Sequence, residues 1–221
     1  MRLGLSIPLY NEADGLPTTA RDLIAALADT DAAILLVDNG STDHTPAIVD
    51  ALAAAHPCVT ALHLAPNAGY GGGILAGVRH LLAHDPADVI GWMWGDNQID
   101  PAILPRLLAR CAQGADIAKA QRTVRLDGAQ RRLITTGYAA VMRLKGVQTR
   151  DVNGCPKLFR REALGALDLR SEDWFLDAEA ILKAEAAGMS IASEPATMRA
   201  RLAGRSKVNW RTVAEFARHL L

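Results

Sequence analysis

Strand-length apolar runs and helix-period stretches take turns along this chain, and that alternation constrains its fold more than any other feature. Leu3 to Ile7 reads as a strand that stops at Pro8, and Asp14 to Leu27 as a helix with Leu16, Leu23, Ile24 and Leu27 on one side. Ile34 to Val37 is a continuous apolar run too short for a helix, the mark of a strand buried on both faces. Thr42 or Asp43 is placed to cap a helix running toward Ala55. Strand over 59–64, helix over 74–82, strand over 89–94 and helix over 103–111 continue the series. A chain built this way is expected to form an α/β sandwich with a mostly parallel central sheet flanked by helices.

Length and composition fit one such domain over residues 1–221. Half the residues are hydrophobic and 22% are charged, which excludes a disordered or collagen-like chain. Apolar stretches stay at strand length, short of the ~20 residues of a membrane span, and no secretory leader is evident at Met1. Cys58, Cys111 and Cys155 are odd in number and far apart, which suits free thiols in a reducing cytoplasm.

The zero net charge hides a strong asymmetry. Residues 1–118 carry five basic and thirteen acidic side chains, whereas residues 119–161 carry eleven basic and two acidic ones. A block of net charge +9 inside a domain is either solvated surface or the footprint of an anionic partner. Nothing in the pattern suggests nucleic acid.

Ligands of open α/β sheets sit beyond the carboxyl ends of the strands, and the unusual polar clusters of this chain all follow strands. Pro8-Leu-Tyr-Asn-Glu12 follows the first, Asp38-Asn-Gly-Ser-Thr-Asp43 the second, Asn67 to Gly73 the third and Gly95-Asp-Asn-Gln98 the fourth. Four clusters at four strand ends point to one shared crevice. Asp38 can accept hydrogen bonds from a base edge or ribose hydroxyl, Tyr10 offers a stacking face and Glu12 another acceptor.

The run Pro8 to Glu12, the run Val37 to Thr45 and the later Asp-containing loop resemble family-2 glycosyltransferases, which have the GT-A fold and use nucleotide-sugar donors. The likeness runs from Ile7 through Lys207 and is nearest to the branch of polyprenyl-phosphate (dolichyl-phosphate) mannose and glucose synthases. It implies that Pro8, Tyr10, Asn11, Glu12, Asp38, Asn39 and Gly69 hold the donor nucleotide. Asn39 stands where the family pattern often has Asp. It also implies a divalent cation, Mg²⁺ or Mn²⁺, bridging the donor diphosphate. Relatives show Asp-x-Asp-x-Gln there, whereas this chain reads Trp94-Gly95-Asp96-Asn97-Gln98, so Asp96 and Gln98 are left as the metal residues.

Three downstream segments continue the resemblance. Asp151 to Arg160 matches a segment with Asp, Gly and a basic residue ahead of a strand. Asp177 and Glu179 occupy the place of the family's acidic base motif. A hydroxyl acceptor needs such a carboxylate to take its proton, but a phosphate monoester with second pKa ~6 is already ionised, and the pair would then position groups instead. Arg201, Ser206 and Lys207 match a basic R-x-x-G-x-S-K pattern and are expected on a phosphate.

Gly71-Gly-Gly73-Ile-Leu-Ala76 also fits the dinucleotide fingerprint, a rival reading as an oxidoreductase, but it follows the third strand instead of the first. The resemblance thus implies a metal-dependent inverting glycosyltransferase whose favoured acceptor is polyprenyl phosphate. The alternatives are a soluble hydroxyl acceptor, or a nucleotide-sugar-binding protein with weak turnover. Its place would be the cytoplasm or the cytoplasmic membrane face. There the helix expected over Arg131 to Lys145, with Arg132 and Arg143, and the segment Trp210 to Leu221 would meet anionic lipid.

Overall fold

The computed structural model describes residues 1–124, 142–144 and 146–199. The basic helix expected over 131–145 falls almost wholly outside them, as do Arg201, Ser206, Lys207 and the 210–221 segment.

Among the described residues the order is β1 (Leu3–Leu9), α1 (Leu16–Ala26), β2 (Ala32–Asn39), α2 (Thr45–Ala55), β3 (Val59–Leu64), α3 (Gly69–His84) and β4 (Val89–Trp92). There follow a 3₁₀ turn at Pro101–Ile103, α4 (Leu104–Ala112), β5 (Ile117–Val124), β6 (Lys157–Arg160), α5 (Arg161–Leu167), α6 (Leu176–Ala186) and β7 (Ile191–Thr197). The seven strands form one sheet in the order β3-β2-β1-β4-β6-β5-β7. All run parallel except β6, which is antiparallel to both its neighbours. The expected α/β architecture is therefore present.

The elements differ in detail from the sequence expectations, each for a physical reason. β1 runs through Pro8 to Leu9, pairing Pro8 with Val37 and Leu9 with Asp38, so the proline does not end it. The second helix starts at Thr45 with His44 at its cap and no side-chain capping bond. Asp43 acts next to that cap, where Oδ1 accepts from the Thr45 N–H at 2.9 Å. The third helix starts at Gly69, five residues earlier than its apolar spacing indicates, because the glycine run is itself helical.

That glycine run explains how the layers meet. β1 alternates Leu3, Leu5, Ile7 and Leu9 toward the α1 and α4 side with the smaller Gly4 and Ser6 on the other face. Each of those fully buried aliphatic side chains contributes about 1.5–3 kcal/mol of burial. The small face admits α3: a Cβ on Gly77 would lie 2.0 Å from Ser6 Oγ, and one on Gly73 would lie 2.7 Å from Asn39 Nδ2. A Cβ on Gly71 would strike the carbonyl oxygens of Ser171 and Asp173 at 2.3 and 2.7 Å. Gly71, Gly72 and Gly73 are buried packing positions in a helix, so the fingerprint-like spelling reflects close helix–sheet contact and no dinucleotide cradle. β2, by contrast, is apolar on both sides: Ile34 and Leu36 face one core cluster, Leu35 and Val37 the other.

Candidate active site

From β1 the chain winds to β2 and β3 on one side, then returns through α3 to β4 on the other side of β1. The reversal lies between β1 and β4, where open α/β sheets form their binding crevice. The loops after β1 and β4 meet there. Gly95 packs so close that a Cβ on it would lie 2.4 Å from Leu9 Cδ2, and the Gly95 carbonyl accepts from Thr19 Oγ1 of α1 at 3.2 Å.

The loops after β1 and β2 are laced together. Asn11 adopts a positive φ of 52°. Its N–H donates to Ser41 Oγ at 3.0 Å and its Oδ1 accepts from the Thr42 N–H at 2.8 Å. The Glu12 N–H donates to Thr45 Oγ1, and the Ala13 N–H to Asp43 Oδ2. Tyr10 is half-buried at the end of β1 and Pro8 is half-buried within it. Asp38, 4% exposed, accepts the Ser41 N–H on Oδ1 at 3.0 Å and faces His63 Nδ1 with Oδ2 at 3.2 Å. His63 in turn reaches Asp50 Oδ1 through Nε2 at 2.9 Å. Sequence reasoning missed His63. Its only signal was a polar position in the strand 59–64, opposite Asp38 once the strands are paired.

The structure brings Asn39 and Gly69, both expected on the donor nucleotide, together through the Asn39 amide. Its Oδ1 accepts the Ala68 N–H at 2.9 Å and its Nδ2 donates to the Gly69 carbonyl at 2.8 Å. Asn39 thereby fastens the third loop to the second.

In the loop after β4, Asp96 Oδ1 accepts the Gln98 N–H at 3.1 Å, and Asn97 has a positive φ of 54° with Nδ2 donating to Asp22 on α1. Gln98 is bonded twice to Arg199, whose N–H donates to the Gln98 carbonyl at 2.7 Å. Asp96 and Gln98 offer one carboxylate and one amide oxygen. No group of three His, Cys, Asp or Glu able to hold an ion exists among the described residues. That donor set does not suit a protein cage, but it fits Mg²⁺ or Mn²⁺ carried with a diphosphate, since such ions keep waters and phosphate oxygens and take one or two carboxylates.

Trp94, at the first acidic position of the resembling pattern, belongs to an aromatic network. Its Nε1 donates to Tyr70 Oη at 2.8 Å, and the Arg122 guanidinium lies 5.6 Å from its ring centroid. Tyr70 stacks on Trp174 at 4.2 Å and donates its hydroxyl to Asp177 Oδ2 at 2.6 Å. Burial and the Asp177 charge push the Tyr70 phenol well above its usual range, so it stays a donor.

Asp177 is 2% exposed and also accepts from Lys157 Nζ at 2.5 Å and Trp92 Nε1 at 3.3 Å. Glu179 accepts the N–H groups of Arg170 and Ser171 and pairs with Lys183 at 2.6 Å. Burial works to raise the pKa of Glu179, but the donors from Lys183, Ser171 and Arg170 outweigh it and hold the carboxyl below its usual range. Both carboxylates, expected as proton acceptors or positioning groups, are committed to protein donors.

Beside them lies a charge cluster that the sequence left scattered. Lys119 and Lys157 are cross-strand partners on β5 and β6, both fully buried. Arg122 and Asp151 form a two-pronged pair, Nη2 to Oδ1 at 2.6 Å and Nε to Oδ2 at 2.9 Å. Lys119 Nζ donates to the carbonyls of Ala120 and Arg150. Burial and the neighbouring Lys157 charge push its ammonium down to about 8. Three cations against two carboxylates leave this patch with a surplus positive charge, adjoining the crevice through Trp94 and Tyr70.

Comparison with known proteins fits this geometry. The profile described as Glycosyl transferase family 2 matches residues 5–167, and the chain belongs to that family: it is a glycosyltransferase. It is 30% identical over 226 residues to an undecaprenyl-phosphate mannosyltransferase of Micrococcus luteus, covering 97% of this chain and 90% of that one. It is 33% identical over 220 residues to a polyprenol monophosphomannose synthase of Mycolicibacterium smegmatis, covering 95% and 82%. Among solved structures it resembles glucosyl-3-phosphoglycerate synthase of Mycobacterium tuberculosis in complex with Mn²⁺, uridine diphosphate and glucosyl-3-phosphoglycerate. That match has a TM-score of 0.70 at 18% identity and covers 99% of this chain and 77% of that one. The GT-A fold expected from the sequence is the fold of this chain.

Proposed function

We propose that this glycosyltransferase moves a sugar from a nucleoside-diphosphate sugar to a polyprenyl phosphate at a membrane surface. The observation that carries the acceptor class is the state of Asp177. A hydroxyl acceptor needs a free base, and this carboxylate instead holds Lys157, Tyr70 and Trp92 in a buried setting. A phosphate monoester is mostly a dianion at neutral pH and needs none. The names of the two relatives above support the same acceptor.

In this reading Asp38, Tyr10 and Glu12 bind the nucleoside, while the loops fixed by Asn11, Asn39 and Asp43 keep the crevice walls in place. Asp96 and Gln98 would hold Mg²⁺ or Mn²⁺, which supplies charge neutralisation for the leaving diphosphate when bound. Arg201, Ser206 and Lys207, outside the described residues, would grip a phosphate through charge-assisted hydrogen bonds. The acceptor phosphate attacks the anomeric carbon with inversion, through a transition state of oxocarbenium character. The surplus positive charge near Lys157 and Arg122 favours an approaching anion.

No described helix is long and apolar enough to cross a membrane. Contact with lipid would be peripheral, beside Leu144, which is 88% exposed next to the exposed Arg143. The direct test is transfer of labelled sugar from a panel of nucleotide sugars to undecaprenyl phosphate in mixed vesicles and, in parallel, to soluble alcohols. Transfer to the lipid phosphate, with a rate at saturating donor that is level above pH 7, is expected. Transfer to the alcohols alone would overturn the acceptor assignment, and binding without transfer would make the chain a nucleotide-sugar-binding protein.

A further inference from the structure

His63 sits on the edge strand β3, directly paired with Asp38 of β2, so the two side chains leave the same face of the sheet. On that face α2 supplies Asp50. The imidazole is held between the two carboxylates, Nδ1 to Asp38 Oδ2 at 3.2 Å and Nε2 to Asp50 Oδ1 at 2.9 Å. A carboxylate only accepts, and a neutral imidazole has one N–H. Only the imidazolium can donate to both. In the neutral ring one nitrogen lone pair faces a carboxylate, and one of the two bonds is lost.

The consequence reaches the crevice through Asp38. That carboxylate is buried, with one oxygen on the Ser41 N–H and the other on His63. The ring therefore fixes the plane of the Asp38 carboxylate and offsets its charge. We propose that His63 is a positioning residue for the nucleotide donor: its imidazolium orients Asp38 and makes donor affinity depend on protonation. The inference rests on the assignment of Asp38 to the donor nucleoside.

The charged groups acting on the ring are Asp50 from α2, which packs on the face of β3 that carries His63, and Asp38 from the paired strand β2. Hydrogen bonds from the ring to Asp50 and then to Asp38 raise its pKa above the ordinary 6.5, against a smaller opposing effect of burial. The imidazolium bonds are fully present below about pH 6.5 and are lost as pH rises through the higher folded value. Donor affinity should fall in the same direction, both because Asp38 loosens and because an anionic diphosphate meets a more negative crevice.

The experiment is calorimetric titration of the whole chain with uridine diphosphate glucose and with guanosine diphosphate mannose in Mg²⁺, at steps from pH 5.5 to 8.5. For whichever binds, the wild-type Kd should weaken about tenfold across that range. His63→Phe should bind with the weak, high-pH Kd throughout, and His63→Lys, a permanent cation, should stay tight at pH 8.5. Asp50→Asn touches neither Asp38 nor the crevice loops, yet it should move the midpoint of the profile to lower pH, which a merely structural histidine would not do. An unchanged slope in His63→Phe, or an unmoved midpoint in Asp50→Asn, would overturn the role of His63 while leaving the donor assignment standing. Failure of the wild type to bind either nucleotide sugar at any pH would instead remove the donor assignment itself, and this inference with it.

Discussion

The crevice loops and the β5–β6–α6 cluster use the same side-chain chemistry for opposite ends. Around the crevice, Asp38 accepts a backbone N–H of its own loop, Asp43 and Asn11 accept them from the neighbouring loop, and together they shape an opening. In the cluster, Asp151 and Asp177 answer buried cations and two aromatic donors, with little contact with water. A carboxylate that answers neutral backbone N–H groups can turn an oxygen to a ligand, whereas one that answers a buried cation is committed because releasing it strands a charge. The same residue type thus shapes an opening in one region and is a fixed strut in the other.

The largest effect should come from breaking a strut. Asp177→Asn leaves Lys157 buried without its carboxylate and should destabilise the fold by about 3–5 kcal/mol in urea unfolding. Adding Lys157→Met should recover at least half of that loss. If Asp177→Asn instead unfolds like the wild type, the cluster is not the strut described and the contrast collapses.

Next in size is a crevice variant, whose effect should fall on activity alone. Asp96→Asn removes the loop carboxylate assigned to the cation and should lower metal-dependent transfer at least a hundredfold, about 2.7 kcal/mol at 1.36 kcal/mol per decade. Its melting temperature should stay at the wild-type value, since a strand-end loop residue carries little packing. Normal turnover at ordinary Mg²⁺ concentrations would remove Asp96 from the metal site.

Lys119 sharpens the contrast by pH. Burial and the neighbouring Lys157 charge push its folded pKa down to about 8, below the ordinary lysine value of 10.5. The unfolded chain therefore holds the extra proton between those values, and stability should rise as pH climbs from 8 toward 10.5. Lys119→Met should be more stable than wild type at pH 7 by about 1–3 kcal/mol, the gain expected when a poorly compensated buried charge is replaced by an apolar side chain. The advantage should shrink over that same window. A constant difference across pH would mean that Lys119 is not the titrating group.

The smallest effect tests the joint between the two regions. Trp94→Phe keeps a ring under Arg122 but deletes the indole N–H on Tyr70, a loss of about 1 kcal/mol. Donor affinity measured by calorimetry should hardly change. A large loss of affinity would show that Trp94 contacts the donor directly.

These two regions were unequally legible in the sequence. The crevice was readable because each of its clusters is contiguous: Pro8 to Glu12, Asp38 to Asp43 and Gly95 to Gln98 are short runs that each follow a strand. Even there, the hydrogen bonds of a residue were less visible than its place, as those of Asn39 and His63 demonstrate. The cluster was unreadable because its partners are remote in the chain. Tyr70 meets Asp177 and Lys119 meets Lys157 only after α3 has packed on the sheet and β6 has inserted in reverse between β4 and β5. The charge tally placed Lys119, Arg122 and Lys157 in a basic block read as surface or anion footprint, yet all three side chains are largely buried and two are matched by carboxylates. Composition records charge but not which strand will cover it.

The reversed strand also bears on how the chain can assemble during synthesis. β1 to β4 pair among themselves with successive crossovers, so that part of the sheet can form as soon as Trp92 has left the ribosome. Its β4 side then presents open N–H and C=O groups until Lys157–Arg160 has been translated, and β5 must wait for the same strand. An unpaired central strand is a template for intermolecular association. The nascent protein therefore passes through a stage at which it most needs chaperone cover, and a polypeptide cut after β5 should be prone to aggregate although most of its crevice loops are already present.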